Sequence, residues 1–145
     1  MDKRFIAVFA CVIVAGGVAT SFAADPAPAV PAPAENAPRI SQADLLARLA
    51  KKDADLVVLD VRTPAEFAAG HVPGARNVSH DQLAGRLDEL AAARDKEVVL
   101  YCRSGRRSLQ AEETLRNAGF KRLLHLEGDY LAWEAEHRPI EKATE

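Results

Sequence analysis

The stretch Glu97-Val98-Val99-Leu100-Tyr101-Cys102-Arg103-Ser104-Gly105-Arg106-Arg107-Ser108 decides how this chain folds. Its first five residues, Glu97 and the apolar run Val98 to Tyr101, read as a buried strand. Cys102 closes the strand, and a loop with one glycine follows. A helix is predicted from Gly105 to Ala118, with Leu109, Ala111, Leu115 and Ala118 as its inner side. Gly119 followed by Phe120 marks a Schellman-type stop.

The same alternation extends to both sides. Leu56 to Val61 is a second buried run, and Leu123 to Leu126 a third, while Ala75–Val78 is a short extended piece. Ser41 with Asp44 caps a helix carrying Leu45, Leu46 and Leu49. Thr63, Pro64 and Glu66 supply an N-cap, a first-turn proline and a capping-box glutamate for a helix that Gly70 ends. Ser79 with Gln82 is expected to cap a helix with Leu83, Leu87 and Leu90, and Asp129 to cap the last one, with Tyr130 and Trp133. Strands alternating with helices imply an α/β fold: a parallel sheet with helices on both faces. Residues 39–143 suffice for one core. In such sheets ligands bind beyond the carboxyl ends of the strands, which is where Cys102 lies.

Composition narrows the function classes. The 145 residues are 48% hydrophobic and carry a net charge of −2, so the chain is neither a disordered polymer nor a phosphate-neutralising nucleic-acid binder. Two cysteines, Cys11 and Cys102, exclude a disulfide scaffold, and His71, His80, His125 and His137 form no metal set. His71 sits in a turn marked by glycine and proline, where a hydrogen bond that fixes the turn is its expected role.

Residues 1–23 read as a signal peptide. Lys3 and Arg4 precede an uncharged apolar run of 15 residues, Phe5 to Ala19, and Ser21-Phe22-Ala23 suits cleavage after Ala23. The run is short for a membrane span of about 20 residues, so a cleaved leader is favoured over a retained anchor, and Cys11 stands too early in it for a lipoprotein cysteine. The expected location is periplasmic or secreted, with no membrane span in the mature chain. Cleavage removes Cys11 and leaves Cys102 as the one thiol. Residues 24–38 hold five of the eight prolines and read as an Ala/Pro-rich linker reaching about 45 Å in polyproline form.

The loop after the EVVLY strand carries the chemistry. Loop amides and the N-terminus of the following helix can aim N–H groups at the sulfur. That favours an anion, and with it the thiolate that acts as nucleophile. Arg103, Arg106 and Arg107 add positive charge where an anionic substrate would enter, Ser104 lies between them, and Gly105 permits backbone angles that a Cβ would forbid. An inert buried cysteine would be expected in apolar surroundings, not beside three arginines. Asp60 and Arg62 end a strand beside the loop and are expected to pair as an anchor for it.

These residues resemble a known family. Asp60-Val61-Arg62, Glu66-Phe67, Gly70-His71-Val72-Pro73-Gly74-Ala75 and Asn77 are similar to the first block of the rhodanese domain. Cys102 to Ser108 resembles its active-site loop, and Leu126-Glu127-Gly128 with Trp133 and Pro139 its final block. The resemblance runs from about Ile40 to Ile140, in order and with matching spacing. It implies a five-stranded parallel sheet and sulfurtransferase activity without a metal or organic cofactor. Cys102 would take the outer sulfur of thiosulfate or a related donor as a persulfide and pass it to cyanide or a thiol, with the loop residues Arg103 to Arg107 binding substrate and Asp60 and Arg62 in support. Three departures stand out: Ser104, where some thiosulfate-preferring relatives carry a basic residue, Gly128-Asp129, where many relatives have two glycines, and His137, where a glycine is common before the final proline. The alternatives are a non-enzymatic interaction module or a cysteine phosphatase or arsenate reductase. The last expects an arginine after five intervening residues, where this chain has Ser108 and places Arg107 after four.

Overall fold

The computed structural model describes residues 36–143. The expected leader, and the linker up to residue 35, lie outside them. Five strands form one sheet: β1 (Arg39–Ile40), β2 (Leu56–Asp60), β3 (Arg76–Asn77), β4 (Glu97–Tyr101) and β5 (Leu123–Leu126). Their spatial order is β1-β5-β4-β2-β3, and every pairing is parallel. β4 is central, and its register places Tyr101 opposite Asp60 of β2 and Leu100 opposite His125 of β5.

Four α-helices accompany the sheet: α1 (Gln42–Ala50), α2 (Pro64–Ala69), α3 (Arg106–Asn117) and α4 (Asp129–Ala135). Alternate residues of β4 serve two cores, because successive side chains of a strand point to opposite faces. Val98, Leu100 and Cys102 pack with Leu59, Leu90, Ala111 and Leu115, on the α3 side. Val99 and Tyr101 pack with Leu45, Val58, Tyr130 and Trp133, on the side of α1 and α4. The sheet is therefore covered on both faces, as the continuous apolar strands require.

The local signals hold where they act over one turn. The Ser41 hydroxyl accepts the Asp44 N–H at 3.1 Å. Thr63 and Glu66 form the reciprocal capping box. Helix α3 ends in a Schellman motif: Phe120 N–H donates to Leu115 C=O and Gly119 N–H to Arg116 C=O, with Gly119 at φ +89°.

Four expectations change. The segment after Ser79 is not an α-helix but two 3₁₀ stretches, Leu83–Gly85 and Leu87–Ala93, closed by i→i+3 bonds such as Arg86 N–H to Leu83 C=O. Gly85 lies in its middle and disfavours a continuous helix by about 1 kcal/mol, and the Ser79 hydroxyl turns to Asp81 instead of capping. Leu109 is 44% exposed; the inner face of α3 is Ser108, Ala111, Glu112 and Leu115. Asp129 does not cap α4: Gly128 stands at the cap and makes no side-chain bond there. The domain also begins earlier than Arg39. Ala37 is buried with its N–H on the Glu112 carboxylate, and the Pro38 carbonyl accepts the His125 N–H at 2.9 Å.

Candidate active site

Cys102 follows directly on β4 and is 1% exposed. The chain then turns through Arg103 and Ser104, both exposed, into Gly105. Gly105 adopts φ +98°, which brings its N–H back onto Cys102 Sγ at 3.0 Å. A side chain there would strain the backbone and meet Asp129 Oδ2 at 3.0 Å. Beyond it, the first amides of α3 have no acceptor within the helix. The sulfur thus faces a backbone donor and the positive end of a 12-residue helix.

The loop is held from two directions. On the α1/α4 side, Arg62 and Asp60 form a buried ion pair, Arg62 Nη2 lying 2.6 Å from Asp60 Oδ2 and Nε 3.0 Å from both carboxylate oxygens. Arg62 also donates to Gly70 C=O at 2.7 Å and stacks over the Tyr130 ring at 3.8 Å. Tyr101, the residue before the cysteine, donates its hydroxyl to Asp60 Oδ2 at 2.8 Å and accepts the Val72 N–H. The amide of Asn77 donates to the carbonyls of Asp60 and Arg62. Burial opposes the Arg62 cation, but Asp60 outweighs it and keeps the guanidinium above its ordinary value. Burial, with Asp60 beside it, raises the Tyr101 hydroxyl. Asp60 and Arg62 thus tie β2 and the 70–72 turn to the end of β4.

From the other direction comes Asp129. Its Oδ1 accepts the Cys102 N–H at 2.8 Å and the Ser108 hydroxyl at 3.1 Å, and its Oδ2 meets His125 Nε2 at 2.9 Å. Burial opposes the carboxylate, yet His125, the Cys102 amide and Ser108 prevail and hold its pKa below the ordinary aspartate value.

The three loop arginines separate. Arg107 forks onto Glu66, with Nη1 2.8 Å from Oε2 and Nη2 2.9 Å from Oε1, which joins α3 to α2. Arg107 is raised chiefly by its hydrogen bonds to Glu66, which outweigh its burial. Arg103 lines a cleft with Arg62, Glu66, Tyr130 and Leu131. Arg106 lines a second cleft on the opposite side, with Ser104, Gly105, Arg39, His125 and Asp129. The loop is the ridge between them. His71 keeps the structural role expected of it: Nδ1 donates to Phe67 C=O at 2.8 Å, and the ring stacks on Phe67.

The Glu66–Arg107 fork makes a pH prediction. Arg107 pulls the Glu66 carboxyl from 4.5 down to about 2, against burial and with help from Thr63. A lowered folded-state value means that the fork stabilises fully above the ordinary glutamate range and is lost as pH falls through about 2. The melting temperature of wild type should therefore exceed that of Glu66→Gln by a constant margin above pH 4.5, and the margin should close towards pH 2. A margin independent of pH would show that the carboxylate charge is not what holds α2 to α3.

Asp129 and His125 were not among the residues the sequence singled out for the site, nor was the pairing of Glu66 with Arg107; Ser108 was read only as the end of the loop. One trace was visible: Asp129 in place of a second glycine.

Comparisons with known proteins agree with this geometry. The model of the rhodanese-like domain family matches residues 41–136. A sulfurtransferase of Allochromatium vinosum is 40% identical over 101 residues, which cover 70% of this chain and 92% of that protein. The crystal structure of a rhodanese-related protein from Thermoplasma volcanium superposes with a TM-score of 0.63 at 29% identity, covering 73% of this chain and 99% of that one. The solution structure of the rhodanese-like domain of the Anabaena sp. Alr3790 protein gives 0.65 at 27% identity, covering 73% and 80%. With its parallel five-stranded sheet and a buried cysteine at the end of the central strand, this chain belongs to the rhodanese-like domain family.

Proposed function

We propose that this chain is a sulfurtransferase that carries a sulfane sulfur as a persulfide on Cys102. The observation behind this is the Gly105 N–H donating to Cys102 Sγ at 3.0 Å, at the mouth of helix α3. The family and the sulfurtransferase named among its relatives support the same class of reaction.

In the first step the Cys102 thiolate attacks the outer sulfur of thiosulfate or a related sulfane donor. The sulfur–sulfur bond of the donor breaks, and its electron pair leaves on sulfite or the donor's thiolate. The new Cys102 persulfide carries its terminal sulfur into the loop, where backbone N–H groups and the helix terminus stand ready for the charge. In the second step cyanide or a thiol attacks that terminal sulfur, and the electron pair returns to the Cys102 thiolate. Covalent capture divides one transfer into two easier ones. Both steps are closed in electrons, so the cycle asks for no metal and no organic cofactor. Arg103 and Arg106, on the two sides of the ridge, supply long-range attraction for anionic donors. Asp60 and Arg62 hold the loop but touch no reacting atom.

Export belongs to the same proposal, supported by Lys3 and Arg4 ahead of the apolar run Phe5 to Ala19. No helix among the described residues is long and apolar enough to cross a membrane. The chemistry implied for the cell envelope is a thiol that has no second cysteine to pair with once residues 1–23 are removed.

One measurement tests the proposal: the intact mass of protein secreted by its host, before and after treatment with thiosulfate or an organic persulfide. The expected result is loss of residues 1–23, a gain of one sulfur atom, and loss of that atom to cyanide as thiocyanate. Folded protein that gains no sulfur from either donor overturns the reaction. Hydrolysis of an aryl phosphate dependent on Cys102 would install the phosphatase alternative instead.

A further inference from the structure

Asp129 places a buried carboxylate directly beneath the sulfur cradle. It is 4% exposed, and its Oδ1 is separated from Cys102 Sγ only by the backbone of that same residue, through the 2.8 Å bond to the Cys102 N–H. Its Oδ2 touches the space above Gly105, the residue whose N–H meets the sulfur. The Cys102 amide is thereby committed to a protein anion. Among the described residues, the ion-pair partner of Asp129 is His125 and no arginine.

The cradle thus combines opposing contributions. The Gly105 N–H and the α3 terminus favour negative charge, while the carboxylate disfavours each added unit of it. A buried charge a few ångströms away interacts far more strongly than one in water. One unit, such as a persulfide brings, is accommodated by the donors. A second unit meets the same repulsion again, and Arg107, already forked onto Glu66, brings no unpaired charge against it. Thiosulfate, sulfate and phosphate dianions are the species penalised.

We propose that Asp129 is a specificity-determining residue that biases the Cys102 loop against dianionic donors, so that its preferred donor is an organic persulfide, neutral or singly charged. This rests on the sulfurtransferase reading above. In the step it favours, the Cys102 thiolate attacks the terminal sulfur of R–S–SH. The sulfur–sulfur bond of the donor breaks and R–S⁻ leaves with the electron pair. The terminal sulfur keeps its hydrogen, giving Cys102–S–SH without oxidant or reductant.

The test uses Asp129→Asn in the mature protein at pH 8, where imidazole is ordinarily neutral. Asp129 has φ +52°, a conformation that asparagine and glycine accept, so neither replacement strains the turn. The Asn carboxamide oxygen can still take the Cys102 N–H; its NH2 then faces His125 Nε2 as a donor, so the charge is lost and that one hydrogen bond reverses direction. Two readouts are compared with wild type: the dissociation constant for sulfate, read as protection of Cys102 from iodoacetamide, and the ratio of kcat/KM for thiosulfate to kcat/KM for cysteine persulfide. Sulfate should bind about tenfold tighter, and the thiosulfate-to-persulfide ratio should rise about tenfold, through KM. Asp129→Gly, which also removes the tether, should tighten sulfate likewise but lower kcat with both donors. Unchanged sulfate binding in both variants overturns the inference, whether or not the protein transfers sulfur. A wild type that binds sulfate weakly, as expected, but accepts sulfur from no donor overturns the transferase reading and leaves the charge argument standing by its own measurement.

Discussion

Cys102→Ser is expected to abolish sulfur transfer, with a loss of more than about 10³-fold and no mass gain from any donor, while the melting temperature moves by only a few degrees. Serine is close to isosteric with cysteine, and its hydroxyl can accept the Gly105 N–H that now reaches Sγ. The cradle should survive, because it is built from elsewhere: Asp129 on the Cys102 amide, Tyr101 on Asp60, Arg107 on Glu66. What disappears is the nucleophile, since a hydroxyl at neutral pH neither attacks a sulfane sulfur nor holds it as a persulfide. Intact mass after donor treatment, thiocyanate production and a thermal melt on the same preparation decide the matter. Residual transfer near the wild-type rate would remove Cys102 from the reaction. Loss of the fold would mean that the thiol is a core residue first, as its packing against Leu100 and Ala111 would allow.

Arg62→Ala should be the most destabilising single change at the site, costing about 3–5 kcal/mol. It strands the Asp60 carboxylate, whose side chain is fully buried, with only the Tyr101 hydroxyl and the Arg62 backbone N–H as donors. It also frees the Gly70 carbonyl and removes the cation from the Tyr130 ring. For a domain of about this size each kcal/mol corresponds to at least about 4 °C, so the melting temperature should fall by more than about 12 °C. Joining Asp60→Asn to Arg62→Met should recover part of that loss, because a neutral pair leaves no unpaired charge in the interior. If the double variant is as unstable as the sum of its parts, the pair does not act as a unit.

Both results depend on parts of the molecule that the sequence disclosed unequally. Caps were legible because they close within one turn. Ser41 to Asp44, Thr63 to Glu66 and Leu115 to Phe120 are contacts between residues three to five apart, and such contacts follow from residue type and spacing alone. The buried strands were legible because LVVLD and EVVLY are apolar on both faces, which only a covered parallel strand satisfies. The two-residue strand β1 carries no such pattern. It exists because β5 offers an open edge, where Arg39 and Ile40 pair with His125 and Leu126. Leu109 looked like a core position by spacing, but the orientation of α3 on the sheet turns Ser108 and Glu112 inward instead. Helical periodicity shows which residues share a face; packing decides which face is buried.

By itself the sequence determined the α/β alternation, the position of Cys102 at the end of a buried strand and the motif-bearing loop that follows. Each of these is a matter of neighbours along the chain. The tertiary structure alone decided the electrostatics of that loop. Glu66 neutralises Arg107 from 41 residues away, and Asp129 reaches the Cys102 amide across 27. Charges act through space, so the field at the sulfur is set by which distant side chains the parallel register and the helix packing bring beside it.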